Sequence, residues 1–205
     1  MNAPASATPL DLNAVGPGFT DPTLASQAVF RAALNAFARP GRIQRVASDA
    51  QHPSGTAPAA AALLLALLDP DCTLWLAPRL AHGAAAAWLR FHTGCRIVSE
   101  LREAQFLWSD ADQMPPLEQL PTGSEFEPES AAICLVQVQA LEDTAGWRLH
   151  GPGIERTQPL AVGGLGEAFV TQWRANHAAF PRGVDLLLCA DERVAGLPRT
   201  TAIEG

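Results

Sequence analysis

Residues 184–189 are the stretch that most constrains the fold, because their apolar side chains follow one another almost without interruption. A strand with one face in water alternates apolar and polar residues, whereas an apolar run is typical of a strand covered on both faces. Residues 131–138, A-A-I-C-L-V-Q-V, carry the strongest strand signal in the chain. The sequence therefore predicts a buried sheet with packing layers on both sides.

Helical segments alternate with these strands, which favours an α/β layer fold with a mixed sheet. The first helix is predicted to begin at Asp21-Pro22 and to end before Pro40, because a residue that precedes proline avoids the helical region. Its apolar face is predicted to consist of Phe30, Ala33, Leu34 and Phe37. Further helices are predicted at 58–68, 79–93 and 166–178.

Short apolar or β-branched stretches between the helices predict the remaining strands. They lie at 42–46, 73–76, 96–98, 105–108 and 159–162. A turn at 143–146 predicts a hairpin that pairs the strand 131–138 with residues 147–150. Residues 109–130 are polar, acidic and rich in proline, and they are predicted to form a loop.

Composition narrows the possible partners and the cellular compartment. Only 17% of the residues are charged and the formal net charge is −7, which argues against broad binding to nucleic acid or to anionic membranes. We expect no signal peptide, because residues 1–9 are polar, rich in proline and alanine, and lack a basic segment. We expect no membrane span, because no apolar run reaches about 20 residues. The cysteines lack C-x-x-C spacing and are predicted to be reduced and mostly buried, as in a cytoplasmic protein. They are Cys72, Cys95, Cys134 and Cys189.

The chain contains no lysine, since all 14 of its basic residues are arginine. This excludes an internal Schiff base with a cofactor aldehyde, the phosphate-binding lysine of a P-loop, and a lysine general base. The G-x-S-x-G motif of serine hydrolases is absent, and no two of the five histidines have the i, i+4 spacing of a helical metal pair. The sequence therefore predicts no catalytic residue, no metal site and no cofactor.

Arginines at turns are the first candidates for contact with a ligand or a partner. Arg39, Arg182 and Arg199 each neighbour a proline, in A-R-P-G, F-P-R-G and L-P-R-T-T. A guanidinium in a rigid turn can bind a carboxylate or a phosphate bidentately. It can equally form an ordinary salt bridge or bind a carbonyl at a helix end, and both interpretations stay open at this point.

Gly164 and Gly166 are the second group of candidates, because they lie in a glycine-rich turn between a predicted strand and a predicted helix. Backbone amides at such a helix start can hold a phosphate. The dinucleotide-binding fingerprint is incomplete, since Phe169 occupies the position of its last glycine. A plain tight turn is the alternative.

Eight short stretches, taken in order, resemble the PhnH family, the H subunit of the bacterial carbon–phosphorus lyase system. The stretches are G-F-T-D-P at 18–22, S-Q-A-V-F-R-A at 26–32, A-R-P-G-R-I at 38–43, L-L-D-P-D at 67–71, W-L-R-F-H-T-G at 88–94, G-P-G-I at 151–154, F-P-R-G-V-D at 180–185 and L-P-R-T-T at 197–201. The resemblance extends from about residue 18 to residue 203.

The resemblance implies a three-layer α/β/α fold with a mixed sheet, similar to the PLP-dependent transferase fold but without PLP. The length of the chain predicts one domain, over residues 19–205, and the first 18 residues are predicted to form a flexible arm. Members form homodimers and join a core complex with the G, I and J subunits. The complex degrades alkylphosphonates, and an early step forms a ribose 1-phosphonate 5-triphosphate from phosphonate and nucleoside triphosphate. The family offers no established catalytic residue to carry over to this chain.

Three hypotheses follow from the sequence. The first is an auxiliary, non-catalytic subunit of that complex. The second is a stand-alone protein or transferase that binds a phosphorylated sugar or nucleotide through arginines and the turn at 163–166. The third is a thiol redox protein, which would need a cysteine that reacts near neutral pH.

Overall fold

A mixed sheet of seven strands forms the centre of the computed structural model, which describes residues 15–204. The strands of the chain are β1 Gln44–Arg45, β2 Thr73–Leu76, β3 Arg96–Ile97, β4 Phe106–Asp110, β5 Ile133–Gln137, β6 Ala140–His150, β7 Gln158–Gly163, β8 Asp185–Ala190, β9 Arg193–Leu197 and β10 Ala202–Glu204. In the large sheet, β1, β9, β8, β5, β4, β2 and β3 lie side by side in that order. The pairs from β8 to β3 are parallel, and both pairs that involve β9 are antiparallel.

The helices are α1 Pro22–Ala38, α2 Pro58–Leu67, α3 Pro78–Ala81, α4 Ala84–Thr93 and α5 Glu167–Ala178. Asp21 caps the start of α1 by accepting from the backbone N–H groups of Thr23 and Leu24, both at 3.1 Å. Gly94 ends α4 in the left-handed conformation, with φ of 72°. Within residues 15–204, no helix combines the length and the apolar character needed to cross a bilayer.

Both faces of the large sheet are buried, as the apolar run at 184–189 predicts. Leu187 and Cys189 point into one apolar cluster, while Leu186 and Leu188 point into the other. The first cluster lies under a helical layer of α1, α2 and α4. Because successive side chains of a strand point to opposite faces, one central strand supplies both cores.

The helix α1 packs through small residues, which differs from the predicted face. Val29, Ala33 and Ala36 are buried, whereas Phe30 and Leu34 remain 46% and 52% exposed. The prediction was therefore wrong for Phe30 and Leu34. The physical reason is the close approach of α1 to β9, which only small side chains permit.

The opposite layer contains α5 and a second, antiparallel sheet in the order β10, β6, β7. The predicted hairpin between 131–138 and 147–150 is wrong, because β5 pairs in parallel with β4 and β8. The hairpin lies between β6 and β7 instead. Gly146, with φ of 99°, lies in an irregularity of β6, where the register shifts between Glu142 and Trp147. The turn-like residues at 143–146 thus bend a long strand and do not end it.

The predicted N-terminal arm at 1–18 falls mostly on residues 1–14, which lie outside the described residues. The next residues contact the helical layer. Val15 packs against its core, and Nε2 of His92 donates to the carbonyl of Gly16 at 2.9 Å.

Candidate functional site

The carboxyl ends of β2, β4 and β5 meet at one edge of the large sheet. The chain leaves β2 through α4 on the helical face, whereas it leaves β4 through residues 111–132, whose Leu117 and Leu120 pack on the opposite face. Adjacent parallel strands whose connections go to opposite faces form a topological switch point, where α/β proteins commonly bind ligands. A cleft of about 400 Å³ lies at this point. This strand-end cleft is lined by Arg79, Asp110, Asp112, Gln137, Gln139 and Gly164.

A hydrogen-bond network occupies the floor of the strand-end cleft. Arg79 follows β2 and donates through Nε and Nη2 to the two carboxylate oxygens of Asp110, both at 2.6 Å. Gln137, the last residue of β5, donates through Nε2 to Oδ1 of Asp110 at 2.6 Å. Its Oε1 accepts from the N–H of Ala57, at the start of α2, also at 2.6 Å. The network therefore joins three strand ends to two helix starts.

The electrostatics of Asp110 depend on these donors. Burial raises the pKa of its carboxyl, but hydrogen bonds from Arg79 and Gln137, together with the charge of Arg79, outweigh burial. The net effect holds the pKa of Asp110 below its ordinary value. The negative charge of Asp110 in the cleft floor is thus largely neutralised by Arg79 of the same chain.

We expect Asp110→Asn to lower the free energy of unfolding by about 1–3 kcal/mol at neutral pH, because it removes a charged acceptor. The deficit should shrink as pH falls. A group whose pKa is lowered in the folded state contributes stability above its unfolded pKa of about 3.9, and this contribution is lost as pH falls from there through the lowered folded pKa. Urea unfolding of both proteins from about pH 7 to about pH 3 measures the difference.

Asp71→Asn is the control for this experiment, because Asp71 is an exposed aspartate in the turn before β2. Its variant should change the free energy of unfolding at neutral pH by no more than about 0.5 kcal/mol, as is usual for an exposed side chain. A constant difference between Asp110→Asn and the wild type over the whole range would contradict the assigned network.

Gly164 and Gly166 lie close to the strand-end cleft. Gly164 lines it and has φ of 97°, a conformation that favours glycine. Gly166 precedes α5 and has open space where a Cβ would be, with nothing within 4 Å. A small cavity of about 180 Å³ continues from the cleft past both glycines. The predicted phosphate contact at these glycines stays a prediction.

Arg182 lines a different and larger cavity, a groove of about 610 Å³ between α5 and the segment 116–122. We call this cavity the Arg182 groove. It meets the small cavity at Leu117 and Gln172, which line both. Leu117, Ala175 and Ala179 contribute apolar surface, and Glu118 lines it as well. Among residues 15–204, the guanidinium of Arg182 has no hydrogen-bond or ion-pair partner.

The other two candidate arginines line neither cavity. Arg39 is exposed at the end of α1, where its backbone N–H donates to the carbonyl of Asn35 at 3.0 Å. Arg199 is mostly buried and binds the carboxylate of Asp185 through Nε and Nη2. Its Nη1 donates to the carbonyl of Pro128 at 2.7 Å. These contacts favour a structural role for Arg199.

Arg79, Asp110 and Gln137 were not among the site residues predicted from the sequence. Their positions in the sequence could have indicated them, because each of the three residues stands at or just after the end of an apolar strand. Their partnership follows only from the order of the strands, which brings β2, β4 and β5 together. Within residues 15–204, no three His, Cys, Asp or Glu side chains converge closely enough to bind a metal ion.

The chain matches the family model described as bacterial phosphonate metabolism protein (PhnH) over residues 17–204. It is 38% identical to the alpha-D-ribose 1-methylphosphonate 5-triphosphate synthase subunit PhnH of Rhizobium meliloti (strain 1021), over 91% of this chain and 94% of the relative. It is 35% identical to HtxG of Stutzerimonas stutzeri, a protein named as a candidate C-P lyase subunit, over 86% and 85% of the two chains. These matches cover nearly all of the fold described above, and the chain therefore belongs to the PhnH family.

Proposed function

We propose that this protein is a subunit of the carbon–phosphorus lyase core complex and is required for the catabolism of alkylphosphonates. The observation that carries the proposal is 38% identity, over 91% of this chain, to a protein named as a subunit of a ribose 1-methylphosphonate 5-triphosphate synthase. The reaction of such a synthase joins a phosphonate to the ribose of a nucleoside triphosphate. The proposed partners are a second copy of the chain and the G, I and J subunits.

We assign the protein an auxiliary role, in which it supplies surfaces and not reactive groups. The thiols of Cys134 and Cys189 are fully buried, and burial raises the pKa of each far above its ordinary value. They are poor candidates for redox or nucleophilic work. The carboxylates of Asp110 and Asp185 are held by arginines. All four cysteines are free thiols, which agrees with the proposed cytoplasmic location.

Exposed apolar side chains favour the role of a complex subunit over that of an isolated enzyme, because such side chains often mark surfaces that contact other proteins. In the part of the chain that the structure describes, the large ones are Leu24, Phe30, Leu34, Phe91, Phe126 and Phe180. We further propose that the layers correspond to those of the PLP-dependent transferases. The parallel strands at the sheet centre support this, and a chain without lysine cannot form an aldimine with PLP.

Co-purification tests the proposed role directly. The chain is expressed with the G, I and J subunits, with an affinity tag on the I subunit, and the eluate is separated by size. We expect this protein to elute with the tagged subunit in a fixed ratio. A protein that never migrates with the other subunits would refute the proposal.

A second candidate function is the binding of a phosphorylated sugar or nucleotide at the strand-end cleft. The position at the switch point favours it. Arg79 also favours it, because the side chain is 43% exposed and, among residues 15–204, its Nη1 makes no hydrogen bond while Nε and Nη2 bind Asp110. Titration calorimetry with ATP and with ribose 5-phosphate tests this function. Binding should weaken about tenfold or more in Arg79→Ala, since a hydrogen bond to a charged group is worth about 1.5–3 kcal/mol. No heat and no change in melting temperature at millimolar ligand would remove the candidate.

A further inference from the structure

Among residues 15–204, Phe126 is the most exposed large apolar side chain, at 93% exposure, and it lies between two carboxylates in Glu125-Phe126-Glu127. Hydrogen bonds hold the turn that carries it. The N–H of Ser124 donates to the carbonyl of Glu127 at 3.2 Å, and the N–H of Glu127 donates to Oγ of Ser124 at 2.9 Å. The next residue is fixed by Arg199, which donates to the carbonyl of Pro128. We call residues 124–127 the acidic tip.

The ordering of the acidic tip has an energetic consequence. An aromatic anchor that is already held in position loses little conformational entropy on binding. Buried aromatic side chains commonly provide most of the binding energy of an interface. The acidic tip is therefore a preorganised anchor with negative flanks.

The Arg182 groove has the complementary features. Its volume of about 610 Å³ lies within the usual range of ligand pockets, and Leu117, Ala175 and Ala179 supply apolar walls. Arg182 at this groove has no partner among residues 15–204. Phe180, which is 60% exposed, stands two residues before it in the chain.

The acidic tip and the Arg182 groove are neighbours on the same surface. Thr122 lines the groove and lies two residues before the tip begins. Its carbonyl accepts from the N–H of Gly183 at 2.8 Å, which fixes the tip's base beside Arg182. The tip does not fill the groove of its own chain, because Phe126 remains exposed.

We propose that two copies of this chain associate by inserting Phe126 of each copy into the Arg182 groove of the other. A two-fold contact requires each subunit to carry both halves of a self-complementary surface, and adjacent halves allow both contacts to form around one axis. Glu125 and Glu127 then flank Arg182 of the second copy. This contact deepens the proposed self-association and locates it on the surface.

Charge determines the orientation of the contact. Glu118 also lines the groove, and it would repel the negative flanks of an incoming tip. The flanks therefore lie at the Arg182 side, while the ring of Phe126 contacts the apolar walls. A second copy is the favoured occupant because this chain itself presents the aromatic anchor and the carboxylates that the groove requires.

A charge exchange tests the contact. Arg182→Glu and the double variant Glu125→Arg, Glu127→Arg are made in the full chain and studied by sedimentation velocity. Each variant alone places like charges opposite each other, and we expect the dimer dissociation constant to rise about tenfold or more. Mixing the two variants restores opposite charges at both contacts, so the mixture should form a heterodimer close to wild-type affinity.

Phe126→Ala supplies a second test, with Phe91→Ala as the matched control. Phe91 is also an exposed phenylalanine, at 53%, but it lies on α4 in the helical layer. Only Phe126→Ala should weaken the dimer, and its circular dichroism should match the wild type because the side chain is exposed. We expect the dissociation constant to rise about thirtyfold or more, as for an interface hot spot.

The outcomes separate this contact from self-association in general. A wild-type dimer that persists in Phe126→Ala and in Arg182→Glu would overturn the contact and leave self-association standing. A wild-type monomer at micromolar concentration would overturn both. Loss of co-purification with the G, I or J subunits in Arg182→Glu, with the dimer intact, would assign the groove to another subunit and would overturn the contact.

Discussion

Replacing Arg199 with alanine is expected to lower the free energy of unfolding by about 3–5 kcal/mol, because it leaves one partner of a largely buried ion pair alone. The side chains of Arg199 and Asp185 are only 11% and 21% exposed. Arg199 Nη2 lies 2.5 Å from Oδ2 of Asp185. The substitution also removes the donor to the carbonyl of Pro128. Chemical denaturation followed by circular dichroism measures the loss.

Arg45→Ala is the control for Arg199→Ala. Arg45 also binds a carboxylate, that of Glu192 at 2.9 Å, but the two side chains are 76% and 50% exposed. Exposed ion pairs contribute about 1 kcal/mol or less. If Arg199→Ala kept wild-type stability and lost only partner or ligand binding, the assignment of a structural role to Arg199 would be wrong. The result would instead support a role for Arg199 in binding.

Replacing Gly196 with serine is expected to destabilise the protein by about 1–3 kcal/mol or more, the usual cost of overpacking a core. Gly196 lies in β9 beneath α1. A Cβ there would collide with the carbonyl oxygen of Ala36 and would lie 2.8 Å from the backbone nitrogen of Phe37. These are backbone atoms, so the whole helix would have to move. The midpoint of thermal unfolding measures the effect.

Gly166→Ser adds the same atoms at the start of α5 and serves as the matched control. A Cβ at Gly166 meets nothing within 4 Å, and serine is a good residue for a helix start. We expect a change within about 0.5 kcal/mol. A large loss in Gly166→Ser, or no loss in Gly196→Ser, would contradict the packing described here.

Local chemistry was sufficient to predict much of the fold from the sequence. Asp21-Pro22 predicts the start of α1, because the carboxylate accepts from free N–H groups and proline suits a first turn. The helix predicted at 79–93 ends at the predicted residue, because Gly94 follows it in the left-handed conformation. The apolar run at 184–189 predicts a strand that is covered on both faces, and β8 confirms it. Each of these signals depends only on residues close together in the chain.

Features that depend on distant residues could not be predicted. Asp185 interrupts an apolar run, and its partner Arg199 becomes evident only when β8, β9 and the turn after β9 are in place. The network of Arg79, Asp110 and Gln137 requires the strand order. The buried face of α1 was mistaken because its apolar residues lie on two sides of the helix, and only the contact with β9 selects the small ones.

The outer strands of the large sheet have a consequence for how other polypeptides can bind. Both β1 and β3 are two residues long. A peptide that binds by strand addition needs a longer open edge, and so does edge-to-edge growth of sheets into aggregates. The short edges of the large sheet therefore disfavour both strand addition by a peptide and edge-to-edge aggregation. A protein that binds at either edge of this sheet has to recognise side chains, because it cannot extend the backbone hydrogen bonds of the sheet.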